Sequence, residues 1–206
     1  MCPFLIQKSN DKIKKNTRFL VLTAPQWYGG FVTSVWGCAQ KLSQGTSLLL
    51  FDGSLGLGDL SSNATLSEDV TAVLQGQKTL SMLIEARNQI DVLSGRSKTL
   101  NLGTYTEPQL YGLLDDLKLL GVNYQTVLIY APPTLPRVQQ FFCEHFDSIC
   151  LPFMSSESIA ETLGLMQSYP RMRCYLENVK EDGALFRALQ VGLARPKNRI
   201  LYDIME

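Results

Sequence analysis

Short apolar segments alternate with helical patterns along most of this chain, and the alternation restricts the folds available to it. Residues 19–22, 48–51 and 126–130 are almost continuously apolar and too short for helices, which is typical of buried strands. Between the first two segments, apolar residues recur at helical spacing: Val32, Val35, Trp36, Ala39 and Leu42. Buried strands joined by helices form parallel sheets with helices on both faces. The sequence therefore predicts a three-layer α/β/α fold with a mostly parallel central sheet.

The same alternation continues towards the C-terminal end. We predict further strands at 90–93, 147–151 and 171–176, and helices at 110–120, 134–145, 156–168 and 181–192. A chain of 206 residues that is 45% apolar builds one core, so we expect a single domain over residues 18–194. A mobile basic N-terminal arm (1–17) precedes this domain and a C-terminal tail (195–206) follows it.

The C-terminal tail mixes basic and apolar residues, and two interpretations of it compete. In the first, it is a short helix that binds a membrane surface or a partner protein. In the second, it is a last segment docked on the domain. Docking is favoured because stable interfacial helices are usually longer. The longest apolar runs are much shorter than the roughly 20 residues that cross a bilayer. We therefore expect a cytoplasmic protein, peripheral to the inner membrane only if the tail binds lipid.

Charge and cysteine content exclude several classes of partner and cofactor. The 19 basic residues are balanced by 19 acidic ones, so no net positive field favours nucleic acid. The five cysteines have no C-x-x-C spacing and no signal-peptide pattern precedes them, which favours a reducing cytoplasm. The single histidine, His145, has only Cys143 near it as a ligand type, so no metal site is predicted.

Two glycine-containing turns follow the first two predicted strands. Residues 24–33 (APQWYGGFVT) are placed like a P-loop, which needs a lysine for the phosphates and a Ser or Thr hydroxyl for magnesium. Phe31 and Val32 stand at those two positions. Residues 51–59 (FDGSLGLGD) form an acidic, glycine-rich turn after the second strand. Both turns lie at the carboxyl edge of the predicted sheet, where open α/β sheets bind ligands.

These turns and three later segments resemble the MinD/ParA family of P-loop ATPases, most closely its flagellar-number regulator branch (FlhG/FleN). Residues 26–32 (QWYGGFV) are similar to that family's K-G-G-V-G-K-T, and residues 52–57 (DGSLGL) to its D-A-D-L-G-L. Residues 65–80 are similar to the family's TLADVL-x-G-x-x-L stretch. Residues 90–95 (IDVLSG) are similar to its LDVLPGG strand, and residues 125–133 (QTVLIYAPP) to its DYVLIDTPPG segment. The resemblance covers about residues 18–176 and implies a P-loop NTPase-like fold.

The resemblance also implies a nucleotide site whose chemistry has been lost. Five replacements fall on groups that would contact nucleotide or metal: Gln26 for the lysine that reaches the partner's nucleotide, Phe31 for the phosphate lysine, Val32 for the magnesium hydroxyl, Ser54 for a carboxylate, and Tyr130 for the metal-orienting aspartate. Asp52, similar to the water-activating aspartate, is kept. Gly29 and Gly30 complete this degenerate site. Asp52 has a competing interpretation as a turn residue that accepts backbone hydrogen bonds, as does Asp59.

We therefore expect no ATP hydrolysis, no tight binding of ATP and magnesium, and no other cofactor. A triphosphate with roughly four negative charges needs compensating cations in a partly buried site, and two lysines are missing here. Trp27 and Tyr28 lie in the same loop, where exposed aromatic side chains favour a partner-binding surface. The alternative is a nucleotide- or nucleoside-binding sensor that uses Asp52 and stacking on Trp27 or Tyr28.

The resemblance implies protein partners: a flagellar or secretion component, a related GTPase or a transcription regulator. Family members switch between a monomer and an ATP-sandwiched dimer, so a chain without nucleotide is expected in one fixed state, monomer or homodimer. The flagellar branch carries an N-terminal DQAxxLR motif that activates its GTPase partner. Residues 1–17 contain no such motif, which argues against GTPase activation.

Overall fold

The computed structural model describes residues 17–54, 60, 73, 77–87, 90–93, 105–152, 158–176, 184–193 and 200–202. Within these residues eight strands form one sheet in the order β3-β4-β2-β5-β1-β6-β7-β8. The strands are β1 (Arg18–Thr23), β2 (Leu48–Asp52), β3 (Ile84–Arg87), β4 (Ile90–Leu93), β5 (Thr126–Tyr130), β6 (Asp147–Cys150), β7 (Arg173–Leu176) and β8 (Ile200–Tyr202). Every neighbouring pair is parallel except β3 with β4. The predicted mostly parallel sheet is confirmed.

Five helices accompany these strands in the described ranges. They are α1 (Phe31–Ser43), α2 (Glu107–Gly121), α3 (Pro136–His145), α4 (Ser158–Ser168) and α5 (Ala184–Gly192), with a short 3-10 helix at Leu80–Leu83. Helix α2 begins with a capping box, in which Thr106 and Gln109 satisfy each other's backbone N–H groups. Helix α3 begins two residues later than predicted, with Pro136 in its first turn. None of these helices is long and apolar enough to cross a membrane.

The two faces of the sheet are covered unequally. Helices α2, α3, α4 and α5 contribute buried side chains to one core, together with the inward residues of β1, β2, β4, β5, β6 and β7. Among the described helices only α1 packs on the other face, against Leu20, Leu50 and Leu128. On β6 and β7 the difference is visible residue by residue, since Cys150 and Cys174 are fully buried whereas Ile149 on the α1 side is half-buried.

Two edge strands were not predicted. Strand β3 contains Glu85 and Arg87, and β8 is three residues long, so neither has the apolar run that identifies buried strands. Strand β8 pairs in parallel with β7 and belongs to the segment interpreted as the C-terminal tail. The predicted arm at residues 1–16, the turn at residues 55–59 and most of residues 61–76 lie outside the described residues.

Three buried free thiols lie in the larger core: Cys143, Cys150 and Cys174. Burial raises the pKa of Cys143 to about 12. A hydrogen bond with Cys174, together with burial, raises the pKa of Cys150. Burial and the hydrogen bond to Asp91 raise the pKa of Tyr124 as well. Cys143, Cys150 and Tyr124 are therefore held in the neutral form by the folded state.

We expect the protein to lose stability in alkaline solution. A raised folded-state pKa stabilises the fold below the unfolded-state pKa, about 9.0 for Cys143, and this stabilisation is lost as the pH rises towards 12. Urea unfolding measured from about pH 8 to about pH 11 should give a falling free energy of unfolding. Replacing Cys143 by alanine should make that fall less steep, whereas an unchanged slope would contradict the assignment to this thiol.

Candidate functional site

The carboxyl ends of three adjacent strands meet at one edge of the sheet. Strand β5 lies between β2 and β1, so the loop after β1, the end of β2 at Asp52 and the end of β5 at Tyr130 are neighbours. From β1 the chain runs through α1 to β2, which lies on one side of β1 in the sheet. From β5 it runs through α3 to β6, which lies on the other side of β1. Strand order reverses at this point, which is where open α/β sheets place ligand crevices.

The loop between β1 and α1 turns without a left-handed glycine. Gly30 precedes the helix with φ −92° and ψ −4°, and the described glycine with positive φ is Gly45, at the far end of α1. An anion-binding nest of backbone N–H groups alternates right-handed and left-handed residues. The N–H of Phe31, the first of the helix, instead donates to the carbonyl of Tyr28 at 3.0 Å. Gly29 and Gly30 therefore do not form such a nest.

The ring of Phe31 lies at the centre of a group of four aromatic side chains, called here the aromatic cluster. Its centroid is 5.4 Å from that of Tyr130, 5.6 Å from Tyr28 and 6.1 Å from Trp27. Phe31 and Tyr130 have no exposed surface, Tyr28 is half-buried and Trp27 is 45% exposed. Offset and edge-to-face rings at these distances attract each other beyond simple burial. The cluster joins the loop after β1 to the end of β5.

The remaining loop positions divide between surface and core. Gln26, Gly29 and Gly30 are exposed, and Val32 is half-buried on the first turn of α1. Trp36, one turn further on, is half-buried and packs on the α1-side core. Trp27 therefore presents the largest exposed ring of the loop.

Asp52 is 3% exposed, and its carboxylate accepts backbone hydrogen bonds in the turn after β2. Oδ1 accepts from the N–H of Ser54 at 2.9 Å, and Oδ2 accepts from the N–H of Leu60 at 3.4 Å. These contacts are those of a turn aspartate that holds a loop. Beside it, the N–H of Gly53 donates to the carbonyl of Tyr130 at 2.8 Å. The Oγ of Ser54 is buried with no hydrogen-bond partner among the described residues.

Several solved structures have a similar fold. No protein-family model and no curated protein sequence matches this chain. A putative plasmid partition protein of Borrelia burgdorferi bound to AMPPNP is similar, with a TM-score of 0.66 and 18% identity over 92% of this chain and 85% of that one. A chain of the MinC:MinD cell division protein complex of Aquifex aeolicus has a TM-score of 0.61 and 17% identity, over 80% and 70% of the two chains.

A third similar structure is cobyrinic acid a,c-diamide synthase of Mycobacterium smegmatis with bound ADP and magnesium. Its TM-score is 0.60 and its identity 16%, over 85% of this chain and 80% of that one. This chain has the MinD/ParA-type P-loop NTPase fold. At these identities the likeness concerns the fold alone, so the chemistry of the site is argued from this chain's residues.

A buried polar network that sequence reasoning missed fixes this edge of the MinD/ParA-type fold. Gln139 on α3 donates from Nε2 to Oγ1 of Thr23 at 2.6 Å and to the carbonyl of Ala24 at 2.9 Å. Thr23 donates in turn to the carbonyl of Ala131 at 2.8 Å. The network ties α3 to the ends of β1 and β5. A signal was present in the sequence, since Gln139 is three residues before the apolar Phe142 and thus on the core-facing side of α3.

His145 lies away from the candidate site in the MinD/ParA-type fold. Strand β5 feeds α3 at the carboxyl edge, so His145, the last residue of α3, is at the opposite end of the helix. Its Nδ1 is 2.7 Å from the carbonyl of Phe141, and its ring packs against that of Phe141 with the ring centroids 4.5 Å apart. His145 thus contacts the last turn of its own helix. No group of three metal-ligating side chains occurs among the described residues.

Proposed function

We propose that this chain is a nucleotide-independent, MinD/ParA-like protein that acts through protein–protein contacts. The process we infer for it is the positioning, assembly or regulation of a bacterial cell structure such as the flagella or a secretion system. The observation that carries the proposal is the fully buried ring of Phe31, packed against Tyr130 at the position assigned to the phosphate lysine. The loop from Gln26 to Gly30 is then a contact surface.

Phe31 and Tyr130 fill the space between the loop and the end of β5. In the motif comparison these two residues replace a lysine and an aspartate that would bind phosphate and orient the metal. Phe31 and Tyr130 offer neither an ammonium nor a carboxylate group near the backbone of the loop. Phosphate oxygens could enter only if the two rings separated. Both large side chains would then lose the stabilisation that comes from their burial.

The charges at this edge also disfavour a triphosphate. The described residues that follow the central strands, 24–33, 53–54, 131–135 and 151–152, contain no lysine or arginine. Asp52 is buried at the end of β2, on the same edge of the sheet, and its carboxylate repels phosphate when it is ionised. Bringing several negative charges to such a site without cations costs several kcal/mol. The residues present do not fit ATP and magnesium.

The exposed part of the loop suits a protein partner. Trp27 is 45% exposed at the outer side of the aromatic cluster, beside exposed Gln26 and Gly29. Tryptophan is enriched among the residues that dominate binding energy at interfaces, especially when a rigid scaffold holds it. The contacts of Phe31 with Tyr130 supply that rigidity. One named complex among the structural neighbours, MinC:MinD, is itself an assembly of two proteins.

Equilibrium binding of AMPPNP with magnesium tests the nucleotide half of this proposal. We expect no saturable binding up to about millimolar nucleotide. This limit corresponds to a binding free energy weaker than about −4 kcal/mol. Sedimentation with and without the nucleotide should give the same mass. Micromolar binding, or a mass change that depends on nucleotide, would favour a nucleotide sensor with a reorganised site and would overturn the proposal.

The interaction half is tested by replacing Trp27 with alanine. Affinity capture from a bacterial lysate with the wild-type chain should recover partners that the Trp27→Ala chain recovers at least about tenfold less, as expected for an interface tryptophan. The matched control is Leu119→Ala with Val122→Ala, because both side chains are exposed and lie at the end of α2. Equal recovery by all three chains would exclude this loop as the interface.

A further inference from the structure

A groove of about 290 Å³ lies on the α1 side of the sheet, and none of its lining residues belongs to the aromatic cluster. Its floor is apolar and comes from β1, β6 and α1, namely Leu20, Leu22, Ile149 and Leu42. Tyr175 of β7 forms one wall, and its hydroxyl accepts a hydrogen bond from Nζ of Lys41 at 3.2 Å. The groove therefore spans the gap between α1 and the β6–β7 part of the sheet.

The groove exists because described helices cover the two faces of β6 and β7 unequally. On the opposite face Cys150 and Cys174 have no exposed surface beneath α4 and α5. On the α1 side Ile149 and Tyr175 remain half-buried, since α1 lies nearer to β2 and β4. Parallel sheets are normally covered on both faces, so this apolar surface gains stability when a further apolar group covers it.

The charged residues around the groove are mainly cationic. Arg18 and Lys41 line it directly, and strand alternation places exposed Arg173 on the same face as Tyr175. Asp147 is the acidic residue that alternation places on this face of β6. Helix α1 contains no acidic residue. Three cations and one anion therefore surround an apolar floor, which favours an occupant that is apolar at one end and anionic at the other.

Lys41 and Tyr175 place hydrogen-bond donors beside this apolar floor. Besides its hydrogen bond to the Tyr175 hydroxyl, the Nζ of Lys41 lies 5.8 Å from the centroid of the Tyr175 ring. An ammonium group has three N–H donors, and a phenol donates as well as accepts. Hydrogen bonds from such donors to a carboxylate are roughly twice as strong as neutral ones. The pair is therefore suited to hold a carboxylate.

We propose that the groove binds a small organic acid with a straight hydrocarbon chain, of the medium-chain fatty acid class. The chain lies on Leu20, Leu22 and Ile149, and the carboxylate accepts hydrogen bonds from Lys41 and Tyr175. The volume of about 290 Å³ is close to the lower end, about 300 Å³, of sites that hold small organic ligands. One turn of an α-helix, about 10 Å across and about 5.4 Å long, fills more than this volume, so the groove does not enclose a partner's helix.

The native thiol of Cys38 provides the measurement, because this half-buried residue lines the groove. In a Cys2→Ser background, iodoacetamide labelling of Cys38 is followed by peptide mass mapping while octanoate is added. We expect octanoate to slow this labelling at least about fivefold at saturation, with a Kd below about 1 mM, as the efficiencies of small ligands allow. 1-Octanol has the same chain without the charge, and it should bind at least about fivefold more weakly.

A Lys41→Met variant tests the cationic rim, because methionine keeps much of the apolar length of lysine and removes the charge. Its affinity for octanoate should fall at least about fivefold, whereas its affinity for 1-octanol should stay at the wild-type value. The matched control is Lys118→Met, which removes an exposed cation from α2 and should leave both affinities unchanged. Retained binding of 1-octanol also shows that the Lys41→Met chain is folded.

Several results would overturn the proposal. Octanoate could fail to slow the labelling of Cys38, or 1-octanol could bind the wild-type chain as tightly as octanoate does. Lys41→Met could also weaken both ligands equally in a protein whose circular dichroism matches that of the wild type. Protection of Cys38 by an acidic peptide but not by octanoate would assign the groove to a protein partner instead. If Lys41→Met does not fold, the comparison of octanoate with 1-octanol on the wild-type chain still decides.

Discussion

Replacing Phe31 by alanine is expected to lower the free energy of unfolding by about 3–5 kcal/mol, the usual cost of removing a buried phenylalanine ring. The ring has no exposed surface and touches three aromatic neighbours, with Tyr130 at a centroid distance of 5.4 Å. Its loss leaves a cavity that the ends of β1 and β5 are held too firmly to close, because Gln139 and Thr23 tie them together. Urea unfolding monitored by circular dichroism measures the effect.

Two companion variants locate the source of this loss. Phe31→Leu keeps part of the buried volume and should cost less than the alanine variant. Trp27→Ala removes a larger but 45% exposed ring and should cost less than about 1 kcal/mol. If Phe31→Ala and wild type unfold at the same urea concentration, the aromatic cluster does not hold the loop. A ring that contributes nothing to stability would also not exclude phosphate from the loop.

Replacing Gly53 by alanine should destabilise the fold by about 2–4 kcal/mol, from steric overpacking and one lost hydrogen bond. A Cβ built at Gly53 lies 2.2 Å from the carbonyl oxygen of Tyr130 and 3.6 Å from the ring of Phe142. The first of these neighbours is backbone, so relief requires β2 and β5 to separate at their ends. That movement breaks the hydrogen bond from the N–H of Gly53 to the same carbonyl.

Gly29→Ala is the matched control, because its Cβ meets nothing within 4 Å and its φ lies outside the left-handed region. We expect it to change the free energy of unfolding by less than about 0.5 kcal/mol. The comparison separates close backbone approach at residue 53 from a general intolerance of side chains at this edge. Equal stability of the Gly53→Ala and Gly29→Ala chains would contradict the packing described here.

Elements with strong apolar patterns were predictable from sequence, and weakly patterned elements were not. Strand β5 and helix α2 were identified because burial on both faces of a strand, or on one stripe of a helix, leaves a periodic record. Strands β3 and β8 are short edge strands whose formation depends on a neighbour that offers hydrogen bonds. Their own residues carry little information about that neighbour.

The candidate site, like the fold, was predictable from the sequence only in part. Its location followed from the order of turns along the chain, because parallel strands bring their carboxyl ends to one edge. The packing of Phe31 against Tyr130, 99 residues apart, did not follow. The turn role of Asp52 was one of two interpretations, but its partners, the N–H groups of Ser54 and Leu60, did not follow either. The core-facing position of Gln139 could be inferred from its spacing to Phe142, but its partner Thr23 could not, since that contact depends on the placement of α3 over β1.

By itself, the sequence determined the fold class, the parallel orientation of the sheet's main strands and the absence of lysine from the turn after β1. These follow from local periodicity and from residue identity. Only the tertiary structure decided what replaces the lysine, namely an aromatic ring packed against β5, and that Gln139 ties α3 to the end of β1. Contacts between distant segments are set by the packing of whole elements, which no single segment of sequence encodes.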